Sequence, residues 1–142
     1  MTISRASAVW EGKLKDGKGN FRSASGAFAA PYSFQTRFEG AAGATPEELM
    51  AAAQASCLAM ALSANLEKAG TPATRIEAEA ACTIEAVNGA PTITTMVVSV
   101  RGQVAGLDQA GFAQAAAAAG EGCPVARALK GNVRISVEAK LV

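Results

Sequence analysis

Alternation of apolar and polar side chains predicts strands at several points along this chain. Ile76, Ala78, Ala80, Cys82, Ile84 and Ala86 share one face, the two-residue period of a half-buried strand. Asn88-Gly89 marks a turn, and 92–100 returns with Met96, Val98 and Val100 inward, making a long hairpin. Val133, Ile135, Val137, Ala139 and Leu141 alternate with Arg134, Ser136, Glu138 and Lys140 in a final strand. Nearer the start, 6–14 reads as a short strand with Trp10 as a core anchor, Asp16-Gly17 as a two-residue turn signal, and 20–25 as a polar strand. After Pro31, Tyr32, Phe34, Thr36 and Phe38 fall on one face and Ser33, Gln35 and Arg37 on the other. This predicts a third strand with Arg37 near its end.

One stretch, 45–70, follows a different rule. Thr45 and Glu48 form a capping-box pair around Pro46 at the first helical position, and Gly70 supplies a left-handed stop. Glu47 and Glu48 sit where the helix dipole favours negative charge, and Lys68 where it favours positive charge. From 49 to 66 there is no charge, and Ala, Leu and Met occupy every side, the pattern of a helix surrounded by protein. A run of about 18 uncharged residues approaches a membrane span. Gln54, Ser56, Ser63 and Asn65 interrupt it, however, and no basic cluster flanks it, so a core helix is the expectation. Further on, Asp108 is a fair N-cap for an Ala-rich helix to about Ala119, with Phe112 its only bulky apolar residue and Gly120 and Gly122 as breakers. Cys123-Pro124 opens a shorter helix through Leu129, ended by Gly131-Asn132. The order is β-β-β-α-β-β-α-α-β, an α+β class with strands in antiparallel runs, expected as one domain over 1–142.

Composition narrows the function. The 13 basic and 12 acidic residues nearly cancel at +1, with no basic cluster, which argues against nucleic acid or an anionic membrane as partner. Residues 1–30 show no basic segment leading into an apolar run and a small-residue cleavage site, so the expected compartment is the cytoplasm. There is no histidine, which excludes Ser-His-Asp and Cys-His mechanisms and histidine metal sites. Three widely spaced cysteines make neither a disulfide framework nor a zinc site, so no metal or cofactor is expected.

Those cysteines carry the candidate chemistry. Cys57, in the middle of the uncharged helix, reads either as a small packed hydrophobe or as a reactive thiol. Cys123 stands at a helix N-terminus after glycines, where backbone N–H groups stabilise a thiolate, and electrostatics alone favours it as the nucleophile. Cys82 on an apolar strand face reads as structural. A buried thiolate needs a cation, and without histidine Arg37, just before the helix, is a candidate beside its reading as a solvated surface residue. Glu47 reads as a dipole-complementing acid or as the group that holds the arginine fork.

The block YSFQTRFEGAAGATPEELMAAAQASCLAMALS, with GCPVARAL some 66 residues after Cys57 and the opening VWEG, resembles the OsmC/Ohr family of osmotically inducible and organic hydroperoxide resistance proteins, on the OsmC side. The resemblance covers nearly the whole chain. It implies an OsmC-like fold in an intertwined homodimer, and a thiol-dependent peroxidase that reduces organic hydroperoxides to alcohols. By the same resemblance Cys57 is the peroxidatic cysteine, Cys123 the resolving one, and Arg37 and Glu47 the catalytic arginine and glutamate, reversing the assignment from helix electrostatics. A Cys57–Cys123 disulfide would then be reduced by an external dithiol, with a lipoyl-type dithiol suggested by the family. Gln54 and Leu58 stand where relatives often carry histidine and phenylalanine, and Cys82 is an additional thiol.

Helix geometry bears on the dimer separately. Glu47 and Cys57 are ten residues apart, about 15 Å along one helix axis, so a twofold-related helix is expected to bring Glu47 of one chain toward Cys57 of the other. Two other functional classes are open to the same sequence: a non-catalytic dimer binding a small molecule or lipid, and a redox sensor whose disulfide alters partner binding without turnover.

Overall fold

A computed structural model describes residues 1–142, which form two compact units, Met1–Pro46 and Glu47–Val142. In the first, β1 (Ala6–Glu11), β2 (Lys18–Ser23) and β3 (Ala29–Tyr32) make an antiparallel sheet in that order. Gly19 pairs with Trp10 on one side and Tyr32 on the other. Its missing side chain leaves room for both rings, whose centroids lie 5.5 Å apart; a Cβ there would come within 2.5 Å of Tyr32. Trp10 therefore anchors this small sheet from a half-buried position. The β1–β2 connection is longer than the expected two-residue turn: Glu11 pairs with Lys18, and the Gly17 N–H closes on the Lys13 carbonyl at 2.7 Å.

The expected third strand over 32–38 is corrected. β3 ends at Tyr32, and α1 (Phe34–Phe38) follows as a short helix. Ser33 is its N-cap: the Ser33 hydroxyl accepts from the Thr36 N–H at 3.1 Å, and the Thr36 hydroxyl accepts from the Ser33 N–H at 3.0 Å. Phe34 and Phe38, four residues apart, bring their rings to 5.1 Å. An apolar pair at that spacing satisfies a strand face and a helix face equally, and the reciprocal cap decides for the helix. Arg37 thus occupies a last helical turn, with its guanidinium over the Phe38 ring at 5.2 Å.

The second unit is built on α2 (Pro46–Lys68) and a sheet of β4 (Ala73–Val87), β5 (Ala90–Val104) and β6 (Arg134–Leu141), with β5 central. The stop of α2 is a Schellman motif. Gly70, at φ +80°, donates to the Glu67 carbonyl and Thr71 to the Leu66 carbonyl, both at 3.0 Å. Asn88 and Gly89, both at positive φ, turn β4 into β5, and Met96, Val98 and Val100 point inward opposite Cys82, Ala80 and Ala78. β6 pairs with β5 in parallel, which corrects the expectation of antiparallel runs throughout. Two helices intervene, α3 (Gln109–Gly122) and α4 (Pro124–Leu129), and such a crossover returns the chain in the direction in which it left.

Asp108 caps α3 as expected, accepting from the Gly111 N–H at 2.8 Å. The helix continues through Gly120 to Gly122 instead of breaking. A Cβ on Gly120 would sit 2.5 Å from Val137 Cγ2, so this glycine admits close helix–sheet approach. Leu58, Leu62 and Leu66 of α2 join Met96, Val98, Val100, Phe112 and Ala116 in one buried cluster, each large side chain contributing about 1.5–3 kcal/mol.

Within a single chain α2 is covered along one side. Its buried positions are Glu47, Gln54, Leu58, Leu62 and Leu66, one stripe, while Met60 is 76% exposed. By length and apolar content alone α2 could cross a membrane, yet its leucine stripe is packed into the core of the unit.

Candidate active site

α2 carries Glu47, Gln54 and Cys57. Glu47 and Gln54 lie seven residues apart on the stripe that Leu58 continues, so the face that buries the leucines buries both polar side chains. Glu48, next to Glu47, is exposed while Glu47 is buried, and both stand in the acidic first turn of α2. Cys57, three residues after Gln54, stands at the edge of the stripe and is half-buried.

Cys123 is 1% exposed and joins two helices. Its N–H closes α3 on the Ala119 carbonyl at 3.0 Å, and its sulfur caps α4, accepting from the Ala126 N–H at 3.4 Å. Two helices therefore hold the backbone that aims this thiol. Pro124 at the first position of α4 lacks the N–H that would be idle there.

The fold brings these two cysteines together. Burial pushes the Cys57 thiol above its ordinary value of 9.0; an N–H from the Val125 backbone pulls the other way, and the neighbouring Cys123 side chain pushes it up further. A half-buried thiol thus neighbours a fully buried one.

The third thiol is placed differently. Cys82, on the inner face of β4 opposite Met96, is also pushed up, first by burial and then by the negative charge of Glu47. Glu47 is thereby associated with Cys82. Arg37 belongs to the 1–46 unit. No group of three or more Cys, Asp or Glu side chains is disposed to hold a metal ion. A hollow of about 350 Å³ between α3, α4 and β6 is lined by Gly120, Ala126 and Val137 and by neither Cys57 nor Cys123.

Sequence reasoning noted Gln54 as a polar interruption of the apolar run and as a departure from relatives, without a role of its own. In the structure it is fully buried, and its side-chain Nε2 donates to Cys123 Sγ at 3.7 Å. The signal was present: Gln54 stands at the head of a four-residue period with Leu58, Leu62 and Leu66, a polar residue on a core stripe.

The OsmC-like protein family matches residues 39–138. Over 142 residues the chain is 39% identical to the peroxiredoxin OsmC of Escherichia coli K12, covering 99% of both chains. Among solved structures, an organic hydroperoxide resistance protein from Elizabethkingia anophelis aligns with a TM-score of 0.76 at 20% identity over 99% of both chains. OhrB of Bacillus subtilis aligns at 0.70 and 24% identity, over 96% of this chain and 98% of that one; at such identities these two speak for the fold alone. The matched span takes in α2 and most of the sheet together with both apposed cysteines, and on that ground the chain belongs to the OsmC family.

Proposed function

We propose that this protein is a thiol-dependent peroxidase that reduces organic hydroperoxides to alcohols, with Cys57 as the peroxidatic and Cys123 as the resolving cysteine. The observation that carries the reading is the contact between a half-buried Cys57 and a fully buried Cys123. The relative named peroxiredoxin OsmC, at 39% identity over the whole chain, supports the reaction class.

The Cys57 thiolate attacks the distal peroxide oxygen, the O–O bond breaks, and the alkoxide takes up a proton and leaves as alcohol. Cys57 is then a sulfenic acid, which condenses with Cys123 to a disulfide and water. An external dithiol, for which we infer a lipoyl-type compound, supplies the two electrons that restore both thiols.

Burial raises the Cys57 thiol, so a positive charge beside it would favour the thiolate. Arg37 is the residue we assign to this task, stabilising the thiolate and orienting the peroxide, with Glu47 holding the guanidinium fork. Glu47 sits ten residues before Cys57 on the same straight helix, about 15 Å away along its axis, which favours a homodimer with shared sites. The exposed flank of α2, with Met60 and Leu49 on it, supports the same arrangement, since uncovered apolar helix surface favours association. The cytoplasm, where dithiol reductants keep cysteines reduced, is the compartment this chemistry suits.

Consumption of cumene hydroperoxide with dihydrolipoamide, comparing wild type and Cys57→Ser at equal protein concentration, tests the proposal. Sustained turnover that the substitution abolishes supports it. A single stoichiometric oxidation without turnover would indicate a redox sensor, and no reaction would return Cys57 to packing and favour a binding dimer.

A further inference from the structure

Gln54 combines three properties that packing alone does not account for. It is fully buried, its Nε2 donates to Cys123 Sγ at 3.7 Å, and its Oε1 is buried with no hydrogen-bond partner. A leucine at this position would extend the Leu58, Leu62, Leu66 stripe without leaving a polar atom unpaired. A buried carbonyl without a donor is destabilising. A buried acceptor left open in the chain is placed to take a donor that arrives during the working cycle.

We propose that Gln54 is a positioning residue for the resolving step, holding Cys123 Sγ through its Nε2 and receiving in its Oε1 the hydroxyl of the sulfenic acid formed on Cys57. The inference rests on the peroxidase reading above and deepens it. Gln54 and Cys57 are three residues apart on one helix, so their side chains are neighbours, and each also meets Cys123. The amide therefore belongs to the same small group of atoms as both sulfurs.

The step balances as follows. An organic hydroperoxide has already converted Cys57 to Cys57–S–OH. The Cys123 sulfur attacks Cys57 Sγ; the S–S bond forms as the S–O bond breaks. Cys123 sulfur is oxidised, Cys57 sulfur is reduced, and the hydroxyl departs with the Cys123 proton as water. Gln54 enters no bond. Its N–H holds the attacking sulfur, and its carbonyl, by accepting from the S–O–H group, turns the hydroxyl away from Cys123 and leaves the back of the S–O bond open to attack. An amide suits both tasks because it offers donor and acceptor from one planar group.

The experiment mixes the reduced full-length protein with one equivalent of cumene hydroperoxide and follows two species in time: Cys57 sulfenic acid, trapped with dimedone and weighed by mass spectrometry, and the Cys57–Cys123 disulfide. In Gln54→Leu the disulfide is expected to close about tenfold more slowly, the worth of one hydrogen bond, so that sulfenic acid accumulates while its formation slows far less. The thermal midpoint is expected to stay level or rise, because the unpaired carbonyl is gone. Gln54→His, which again presents an N–H and an acceptor, is expected to recover most of the closure rate. In Gln54→Glu, near in shape to the native side chain, closure is expected to fall with rising pH as a carboxylate forms beside the attacking sulfur.

Closure at the wild-type rate in Gln54→Leu would overturn the proposal. So would equal slowing of oxidation and closure, or a pH profile in Gln54→Glu that matches the wild type. A wild-type protein that forms neither sulfenic acid nor disulfide would overturn both this proposal and the peroxidase reading beneath it. Normal wild-type chemistry with unaffected variants would remove this proposal alone.

Discussion

Cys57 on α2 and Cys123 at the head of α4 are neighbours in the fold, although they lie 66 positions apart in the chain. Neither helix places the pair by itself: the cap shared by α3 and α4 fixes Cys123, and the leucine stripe of α2 fixes the rotation that presents Cys57. One equivalent of organic hydroperoxide is therefore expected to close an intrachain disulfide between them, seen as a single Cys57–Cys123 cross-linked peptide in a non-reducing digest. Cys123→Ser is expected to stop at the sulfenic acid. A disulfide involving Cys82 instead would show that the contact is not the reactive one.

Arg37 controls the pH dependence under the proposed mechanism. Burial is the largest influence on Cys57 and raises it, so with no cation less thiolate exists at neutral pH. Arg37→Met is expected to lower the rate of Cys57 oxidation at pH 7 by about tenfold or more, the loss that follows when a charge-assisted contact to the thiolate is removed. The rate should recover as pH rises past the ordinary thiol range. Stopped-flow oxidation against pH checks this, and a profile that does not move would remove Arg37 from the mechanism.

Cys82 is expected to be dispensable for turnover. It is raised by burial and by the Glu47 charge, so it remains a protonated thiol where Cys57 works, and thiols react as thiolates. Cys82→Ser should keep turnover within about twofold of wild type. A large loss would place Cys82 in the disulfide exchange.

Alkaline stability follows from Cys82. Its thiol is raised in the folded chain above its ordinary value of 9.0. The unfolded chain therefore releases this proton first, and the stability it contributes is fully present below about pH 9 and lost as pH rises through the folded value. Urea midpoints are expected to fall above pH 9, and to fall less steeply in Cys82→Ser. A midpoint independent of pH across that range would contradict the sign.

Gly102 on β5 makes the seat of Phe112. A Cβ there would lie 2.4 Å from the Phe112 ring, which is fully buried in the core. Gly102→Ala is expected to cost about 1–3 kcal/mol as the ring is displaced, read as a lower urea midpoint at unchanged slope. No loss would mean that α3 can shift away from the sheet at little cost.

Much of this protein was legible in the order of its residues, because the information is local. The stop of α2, the Asn88-Gly89 turn, the inward face of β5, the Asp108 cap and the Cys123-Pro124 helix start each depend on residues within a few positions of one another. Family membership was legible as well, from two motifs at fixed spacing. What local pattern could not settle were choices between equally satisfied alternatives. Phe34 and Phe38 suit a strand or a helix, and the Ser33–Thr36 cap selected the helix. Gly120 breaks an isolated helix, but against Val137 it permits close packing. The direction of β6 depends on where the crossover lands, not on its own alternation. The meeting of Cys57, Cys123 and Gln54 was decided by tertiary structure, because two separate backbone elements must dock before a buried amide can reach a sulfur 69 residues away.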